Sequence, residues 1–401
     1  MSNGKLRVIV LGWLIREPTG GQAWHSLNYV HGLAELGHDV YYIEDSDDTP
    51  MCYGADISSP SNDATYGLRF AANAFARLGL DDRWAYYDAH TNEWKGARAR
   101  DALSVCKSAD LMLHVSAFHP LRDWLERIPV RVMIDTDPGF TQIRNLTNPQ
   151  FRARCEVHTA FFSFGENFGK PSCSIPADGF SWQATRQPMS LTAWPHTPGP
   201  RDGRYTTVMQ WQSWHAPWEY EGLKLAMKAE SFRQFIDLPA RLGPIFEIGV
   251  RSRWTSPHAM LRQAGWQIAD IDGISRDPWT YQAFLQGSKA ELGIAKAGYV
   301  ETRCGWFSER SAAYLASGRP VLHQDTGFPD WLPCGNGVFA FRSPEDVIDA
   351  VSQVGADYDA HCRAARGLAE EFFAADRVLP PLIEAAMAAS APRKGASVDS
   401  I

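Results

Sequence analysis

The sequence predicts an α/β protein with two domains, each built on a mostly parallel β-sheet covered by helices. Short apolar strands alternate with helical segments along nearly the whole chain. The chain of 401 residues is also too long for one ordinary hydrophobic core. A stretch at 171–203, rich in Pro, Ser, Thr and Gly and without periodicity, separates two such runs. We therefore predict domains at 1–170 and 204–375, a linker at 171–203, and a C-terminal segment at 376–401 whose end is disordered.

The first domain opens with a strand, a loop, a helix and a second strand. Leu6 to Gly12 is apolar, the helix at 22–36 carries an apolar stripe that ends before Gly37, and Val40 to Ile43 forms the next strand. Further along, the apolar pattern predicts strands at 111–115, 130–134 and 161–164 and helices at 64–78 and 101–108.

The second domain begins with a strand at 206–211, followed by an aromatic loop and a helix over 223–235. The pattern then predicts strands at 245–250, 266–268, 292–295, 320–322 and 338–341, and helices at 278–286, 344–354 and 360–373.

The stretch from Gly298 to Gly337 carries the sharpest local signals. Ser308 is a good N-cap for a helix that Gly318 ends, and a polar turn follows the next strand at 324–327, where a second short helix is expected. Two helix N-termini on one side of a sheet suit a diphosphate. The predicted donor-binding residues here are Ser308, Glu309, Arg310, Ser311, Asp325, Thr326 and Gly327.

The run from Ala313 to Pro320, AYLASGRP, resembles the donor half of GT-B glycosyltransferases of the group-one and spore-maturation types. The ribose-binding glutamate of that family falls on Ala313, and the pair Glu301 and Glu309 has the right separation but lies four residues too early. Arg310 matches an arginine that spore-maturation-type relatives carry, and it could meet a phosphate. The run GGQAWHSLNYVHGLAELGHDV is similar to the first crossover of the same fold.

The resemblance implies two Rossmann-like domains facing each other across a cleft, with a nucleoside-diphosphate sugar on the second and an acceptor on the first. It also implies a glycosyltransferase of the hexosyltransferase class that needs neither a metal nor a further cofactor, because protein cations neutralise the leaving diphosphate. For that role we expect Arg251, Arg253 and Lys296, with Lys224 the nearest cation to the first loop of the second domain.

Two residues are candidate bases for the acceptor hydroxyl. His25 lies in the first turn of the first helix, off its apolar stripe, and Asp137 follows a buried strand together with Asp135. Either aspartate could bind or deprotonate an acceptor, and Asp135 could instead cap the following turn. The predicted acceptor-binding residues are Gly21, Trp24, Asp135 and Trp214.

The formal net charge of −7 and the lack of a basic block argue against nucleic acid or an anionic membrane as a partner. The N-terminal apolar run is too short for a signal peptide or a membrane span. Seven scattered cysteines without metal-ligand spacing fit a reducing cytoplasm and no metal site.

Three other functions stay open at this point. A sugar-nucleotide epimerase would share the fold, and a non-catalytic nucleotide-sugar or carbohydrate binder would explain the missing glutamate at Ala313 and the 15 Trp residues. An NAD-dependent oxidoreductase is disfavoured, because the first turn has only Gly12 and then Gly20 and Gly21, without the G-x-G-x-x-G fingerprint.

Overall fold

The computed structural model describes residues 4–49, 51–54, 59–213, 217–252 and 256–390, which form two mostly parallel sheets and one small hairpin. The strands are β1 Arg7–Leu11, β2 Asp39–Asp45, β3 Trp84–Asp88, β4 Glu93–Lys95, β5 Leu111–Val115, β6 Val130–Asp135, β7 Ala160–Ser163, β8 Trp182–Ala184, β9 Tyr205–Gln210, β10 Trp218–Tyr220, β11 Leu223–Leu225, β12 Phe246–Arg251, β13 Gln267–Ile268, β14 Ala290–Gly293, β15 Val321–Gln324 and β16 Val338–Phe341.

Helices connect the strands and cover the sheets. They are α1 Gly20–Glu35, α2 Thr65–Arg77, α3 Ala102–Lys107, α4 Asp123–Glu126, α5 Phe140–Thr147, α6 Pro149–Glu156, α7 Lys228–Phe232, α8 Leu238–Leu242, α9 His258–Gln263, α10 Ile271–Ser275, α11 Pro278–Gln286, α12 Ala297–Thr302, α13 Glu309–Ala316, α14 Pro344–Ala356, α15 Tyr358–Leu368 and α16 Ala375–Ser390.

In each sheet the strand order reverses at one point. The first sheet has the order β4-β3-β2-β1-β5-β6-β7-β8, and only β4 is antiparallel to its neighbour. The second has the order β13-β12-β9-β14-β15-β16 and is parallel throughout. Because ligands of open α/β sheets bind beyond the carboxyl ends of the strands at such points, two crevices matter: β1/β5 and β9/β14.

The residues that were predicted to start and end helices do so in the structure. The Ser308 hydroxyl accepts a hydrogen bond from the Arg310 backbone N–H at 3.2 Å and so caps α13. Gly318, with φ of 75°, follows that helix in the left-handed region that favours glycine. Ser343 and Asp346 form a capping box at the start of α14.

The two sheets are joined through a shared apolar core rather than held only by the linker. The N-terminal half of α1 packs against α11 of the second domain, and α16 returns to pack on α1, β6 and β7 of the first. The Trp24 indole N–H donates to the Pro278 carbonyl at 2.7 Å across this boundary. One continuous cluster of buried apolar residues therefore spans both domains.

The linker is anchored by a buried arginine. The Arg319 side chain is fully buried and donates to backbone carbonyls of Thr197, Pro198 and Gln286 at 2.6–3.0 Å. Since these carbonyls would otherwise lack partners, one guanidinium fixes the linker against the end of α11.

Three local predictions were wrong or incomplete. The strands β3 and β4 lie in residues 79–100, to which no element was assigned, and β8 extends the first sheet into the predicted linker. The helix predicted over 223–235 begins only at Lys228. A hairpin precedes it, because Glu221 and Gly222 both have positive φ, of 48° and 84°, as a two-residue hairpin turn requires. The predicted disorder at the C-terminus falls on 391–401, outside the described residues.

Candidate functional site

The start of α13 in the second domain faces the N-terminal half of α1 in the first, and a small cavity lies between them. It is lined by Gly21, Trp24, His25, Asn28, Gln187, Tyr281, Glu309, Arg310 and Ala313. The first four belong to α1, while the last three belong to the first turns of α13. The cavity thus combines the helix start predicted to hold a donor with the helix start predicted to hold an acceptor.

Arg310 is fixed by the strands beneath it. Its Nε donates to the Glu291 carboxylate at 2.5 Å and its Nη1 donates to the Val208 carbonyl at 2.8 Å. Its Nη2 is buried and has no hydrogen-bond partner among the described residues. Because an unpaired buried donor costs free energy, this nitrogen is held ready for an acceptor atom that enters the cavity.

Lys228, at the start of α7, adds a second cation beside Arg310. Among the described residues its ammonium has no partner within hydrogen-bond or ion-pair distance, although the carboxylates of Glu309 and Glu291 act on it electrostatically. Burial, and then the positive charges of Arg310 and Lys296, lower the pKa of Lys228 to about 7, against the pull of Glu309. Two cations, one of them with a free nitrogen, therefore stand near the carboxylates of Glu309 and Glu291, and the unpaired Arg310 Nη2 is the position at which an anion can bind.

His25 and Glu309 face each other across the domain boundary. Burial lowers the pKa of His25, although the Glu309 carboxylate acts in the opposite direction. Burial would raise the pKa of Glu309, but His25, Arg310 and Lys228 together bring it below its ordinary value. The imidazole is therefore neutral at pH 7, the state in which it can accept a proton.

Glycines at the start of α1 allow the two domains to approach closely. A Cβ added to Gly20 would lie 2.5 Å from the Tyr281 Cβ and 2.6 Å from the Asp277 carbonyl oxygen, and one added to Gly21 would lie 3.3 Å from the Tyr281 ring. Trp24 is 3% exposed and is part of this contact, so its ring packs between the domains and is not an open stacking face.

Asp137 and Lys296 form an ion pair between the domains. The Lys296 ammonium lies 2.7 and 2.8 Å from the two Asp137 carboxylate oxygens, and the Tyr299 hydroxyl donates to the same carboxylate. The ammonium also lies over the Phe140 ring, 4.6 Å from its centroid. Both side chains, predicted as a base and as a donor ligand, thus serve to close the cleft in this conformation.

The loop after β15 does not begin a second helix of useful length. Phe328–Asp330 is a three-residue 3-10 turn, so the expectation of two helix N-termini at the diphosphate is wrong, and only α13 supplies one. Asp325 pairs with Arg342 at 2.7 Å, and the Thr326 hydroxyl donates to the Trp306 carbonyl in the loop before α13. Gly327 has φ of 88° and packs against Asn167 of the first domain.

The other predicted site residues that the structure describes do not line the cavity. Asp135 is 1% exposed and accepts hydrogen bonds from Thr141, Gln142 and Ser163, so it organises the turn after β6. Arg251 pairs with Asp272 at 2.6 Å. Ser311 is buried behind the first turn of α13. Trp214 and Arg253 lie outside the described residues.

Sequence reasoning missed Lys228, Glu291 and Tyr281. Because a hairpin precedes α7, the lysine beside Arg310 is Lys228, four positions beyond Lys224, and Lys224 pairs with Glu230 at 3.1 Å. Glu291 stands in an otherwise apolar strand, and a charged residue in the middle of a buried strand is the signal that points to a buried partner.

Two further searches of the described residues bear on the site. They contain no group of three or more His, Cys, Asp or Glu side chains arranged to hold a metal ion. Their helices include none with the length and apolar character needed to cross a membrane.

Two Rossmann-like domains that close on a cleft in this way define the GT-B fold of glycosyltransferases, and the predicted fold class is confirmed. An alpha-glucosyltransferase bound to UDP and a DNA 13-mer is similar in structure, with a TM-score of 0.61 at 11% identity over 96% of this chain and 100% of that one. Sucrose-phosphate synthase from Thermosynechococcus elongatus has a TM-score of 0.51 at 11% identity over 95% and 99%. A glycosyltransferase from Rickettsia africae has a TM-score of 0.51 at 10% identity over 97% and 99%.

At these identities the likeness establishes the fold alone. A scan against protein-family models and a search of curated proteins gave no match.

Proposed function

We propose that this protein is a glycosyltransferase that moves a sugar from a nucleoside-diphosphate sugar, with UDP as the nucleotide, to an acceptor hydroxyl. Its fold supports the reaction class, and solved structures of the same fold hold UDP or UDP-glucose. The observation that carries the proposal is the anion site formed by Arg310 and Lys228 at the N-terminus of α13.

The chemistry follows from where negative charge develops. When the bond between the sugar C1 and the diphosphate oxygen breaks, the leaving nucleotide gains a negative charge. The free Nη2 of Arg310 and the Lys228 ammonium would donate to that diphosphate, and the N–H groups at the start of α13 add partial positive charge. Glu291 and Val208 hold the guanidinium in place, so little reorganisation is needed at the moment of reaction.

The acceptor would approach from the α1 side of the cleft. His25 is the better placed of the two candidate bases, because its neutral ring lines the cavity while Asp137 is engaged by Lys296 and Tyr299. If the anomeric configuration inverts, His25 takes the acceptor proton as the new C1–O bond forms. If it is retained, the leaving phosphate oxygen takes that proton and no enzymic base is required.

We further propose that transfer requires no metal ion and no cofactor besides the donor, since Arg310 and Lys228 would supply the positive charge that a metal ion otherwise brings to the diphosphate. Full activity after exhaustive treatment with EDTA is the expected result. Loss of activity that Mg²⁺ or Mn²⁺ restores would contradict this part of the proposal.

The first test is nucleotide binding. The purified protein is titrated by calorimetry and by thermal shift with UDP, GDP, dTDP, ADP and NAD. A ligand at a hundredfold excess over its Kd adds about 2.7 kcal/mol to the stability. We expect a shift with UDP and none with NAD. The variant Arg310→Ala should lose UDP binding, whereas Arg241→Ala, which removes a surface ion pair with Glu345 in the same domain, should bind UDP as the unmodified protein does.

Turnover then separates an enzyme from a binder. Slow release of free sugar from UDP-glucose, with water as the acceptor, is expected of a transferase and not of a non-catalytic binding protein. If NAD alone shifts the melting temperature, the proposal fails and the oxidoreductase alternative returns. DNA as an acceptor stays open at this level, because alpha-glucosyltransferases of the same fold have been solved with DNA.

A further inference from the structure

One asparagine of the first domain reaches into the second. Asn167 lies in the loop after β7 and is fully buried. Its side-chain Nδ2 donates to the Arg303 carbonyl at 3.1 Å, to the Gly327 carbonyl at 2.9 Å and to the Asp330 carboxylate at 3.2 Å. All three acceptors belong to the second domain, so two N–H groups share three oxygen atoms across the domain boundary.

The orientation of the Asn167 amide is set by its partners. Its Oδ1 accepts a hydrogen bond from the Lys170 ammonium at 2.8 Å, which leaves the amide nitrogen toward the oxygen atoms of the second domain. The Asn167 backbone N–H also donates to the Cys304 carbonyl at 3.0 Å. A few residues later, the Ser174 N–H donates to the Thr302 carbonyl at 3.0 Å. Side chain and backbone therefore hold the same loop of the second domain.

Two glycines of the second domain make room for this side chain. A Cβ added to Gly305 would lie 2.8 Å from the Asn167 Cγ, and one added to Gly327 would lie 2.7 Å from its Nδ2. Both glycines have positive φ, of 79° and 88°, in the region that favours glycine. The second domain is thus shaped to receive the Asn167 amide.

The loop that Asn167 holds leads directly into α13, which begins at Glu309. The Gly305 N–H donates to the Thr326 carbonyl at 2.8 Å, and the Trp331 indole N–H donates to the Gly305 carbonyl at 2.8 Å. These bonds join the loop before α13 to the turn after β15. The contact with Asn167 therefore fixes both connections that flank the helix at the cavity.

The orientation of Arg310 does not depend on Asn167. Its guanidinium is held by Glu291 and Val208, which belong to the same domain. His25, in contrast, lies on α1 of the first domain and lines the same cavity. The separation of His25 from Arg310 is therefore set by how the two domains meet, and Asn167 is one of the contacts that set it.

We propose that Asn167 is a positioning residue for glycosyl transfer. Its amide fixes the second domain against the first at the separation at which a donor at α13 and an acceptor at α1 react. This inference rests on the proposed function, because it assigns a part in that reaction to a residue that does not line the cavity. A displacement of about 1 Å between reacting groups costs about 100-fold in rate, so loss of the amide affects kcat rather than UDP affinity.

The test separates the rate of reaction from donor binding. Asn167→Ala should lower kcat for hydrolysis of UDP-glucose about tenfold or more and leave the Kd for UDP unchanged by calorimetry. Asn167→Asp should do the same without opening a cavity, because it keeps the size of the side chain but sets a carboxylate against the Arg303 and Gly327 carbonyls. Hydrogen exchange of the backbone N–H groups at positions 167 and 174, which donate to the second domain, should be faster in both variants.

Asn145→Ala is the matched control. Asn145 is a buried asparagine on α5, and its Nδ2 donates to the Asp178 carboxylate at 2.7 Å, a contact outside the second domain. This variant should lower the melting temperature and leave kcat unchanged.

The inference is overturned if kcat or the exchange at positions 167 and 174 is the same in Asn167→Ala as in the unmodified protein. It is also overturned if Asn145→Ala lowers kcat as much, or if UDP affinity falls by the same factor as kcat. An unmodified protein that binds no UDP, or that releases no glucose from UDP-glucose, would overturn the proposed function and this inference with it. A UDP-binding enzyme whose kcat does not respond to Asn167 would overturn the inference alone.

Discussion

The protonation of Lys228 predicts how nucleotide affinity depends on pH. In the free protein the pKa of this lysine is lowered to about 7 by burial and by the cations of Arg310 and Lys296. A bound diphosphate adds negative charge beside the ammonium and returns the pKa toward its ordinary value near 10.4. Because the complex then holds a proton that the free protein loses above pH 7, binding weakens as the pH rises.

The size of the effect follows from this linkage. At pH 7 about half of the free protein carries the charged lysine, and at pH 9 about one molecule in a hundred does. The Kd for UDP should therefore rise about 50-fold between pH 7 and pH 9, equivalent to ~2.3 kcal/mol. Below pH 7 the lysine is already charged and its contribution becomes constant.

Calorimetry measures both the affinity and the proton. Titrations with UDP at pH 7, 8 and 9, in two buffers of different ionisation enthalpy, should show uptake of about one proton at pH 9 and about half of one at pH 7. Lys228→Met should bind UDP weakly at every pH and take up no proton. It should also raise the melting temperature of the free protein, because it removes a desolvated charge.

A Kd that is flat from pH 7 to 9, or a slope that persists in Lys228→Met, would refute the assignment of Lys228 to the diphosphate. A slope that persists in the variant would mean that another group takes up the proton. His25 is a poor candidate for that group, since its pKa is lowered and it is neutral throughout this range.

Three further predictions concern the cleft. His25→Phe should lower kcat about 100-fold or more if the histidine is the base. The rate of the unmodified enzyme should fall at acid pH, where the imidazole becomes charged, and the midpoint of that fall should lie below the ordinary histidine pKa because burial lowers the pKa of His25. Asp137→Asn and Lys296→Met should each reduce kcat modestly and by the same factor, and the double variant should reduce it no further, as expected of one ion pair that closes the domains. A much larger loss of kcat in Asp137→Asn alone would favour a role for Asp137 as the base. Gly20→Ala should lower kcat and the melting temperature because its Cβ would meet the Asp277 carbonyl, whereas Gly355→Ala, in a helix with nothing within 4 Å, should be neutral or stabilising in a thermal melt.

Local features of the chain were predictable because their causes are local. Ser308 and Gly318 lie next to the helix ends that they specify, and each of the strands β1, β5, β6 and β16 is specified by its own apolar run. These helix ends and strands lie in the structure where the sequence pattern predicts them. The hairpin β10–β11 was missed although its strands, WEY and LKL, alternate, because three residues are too few for periodicity to separate a strand from the start of a helix, and the turn depends on two positive φ angles.

The sequence by itself determined the α/β class, the division into two domains and the helix start at Glu309, since periodicity and capping are read within a single element. Only the tertiary structure decided which charges meet. Arg310 is oriented by Glu291, 19 residues away, and Asp137 is held by Lys296, 159 residues away. The first contact forms because α13 packs over β14 within the second domain, and the second forms where the two domains meet. No pattern along the chain records either distance.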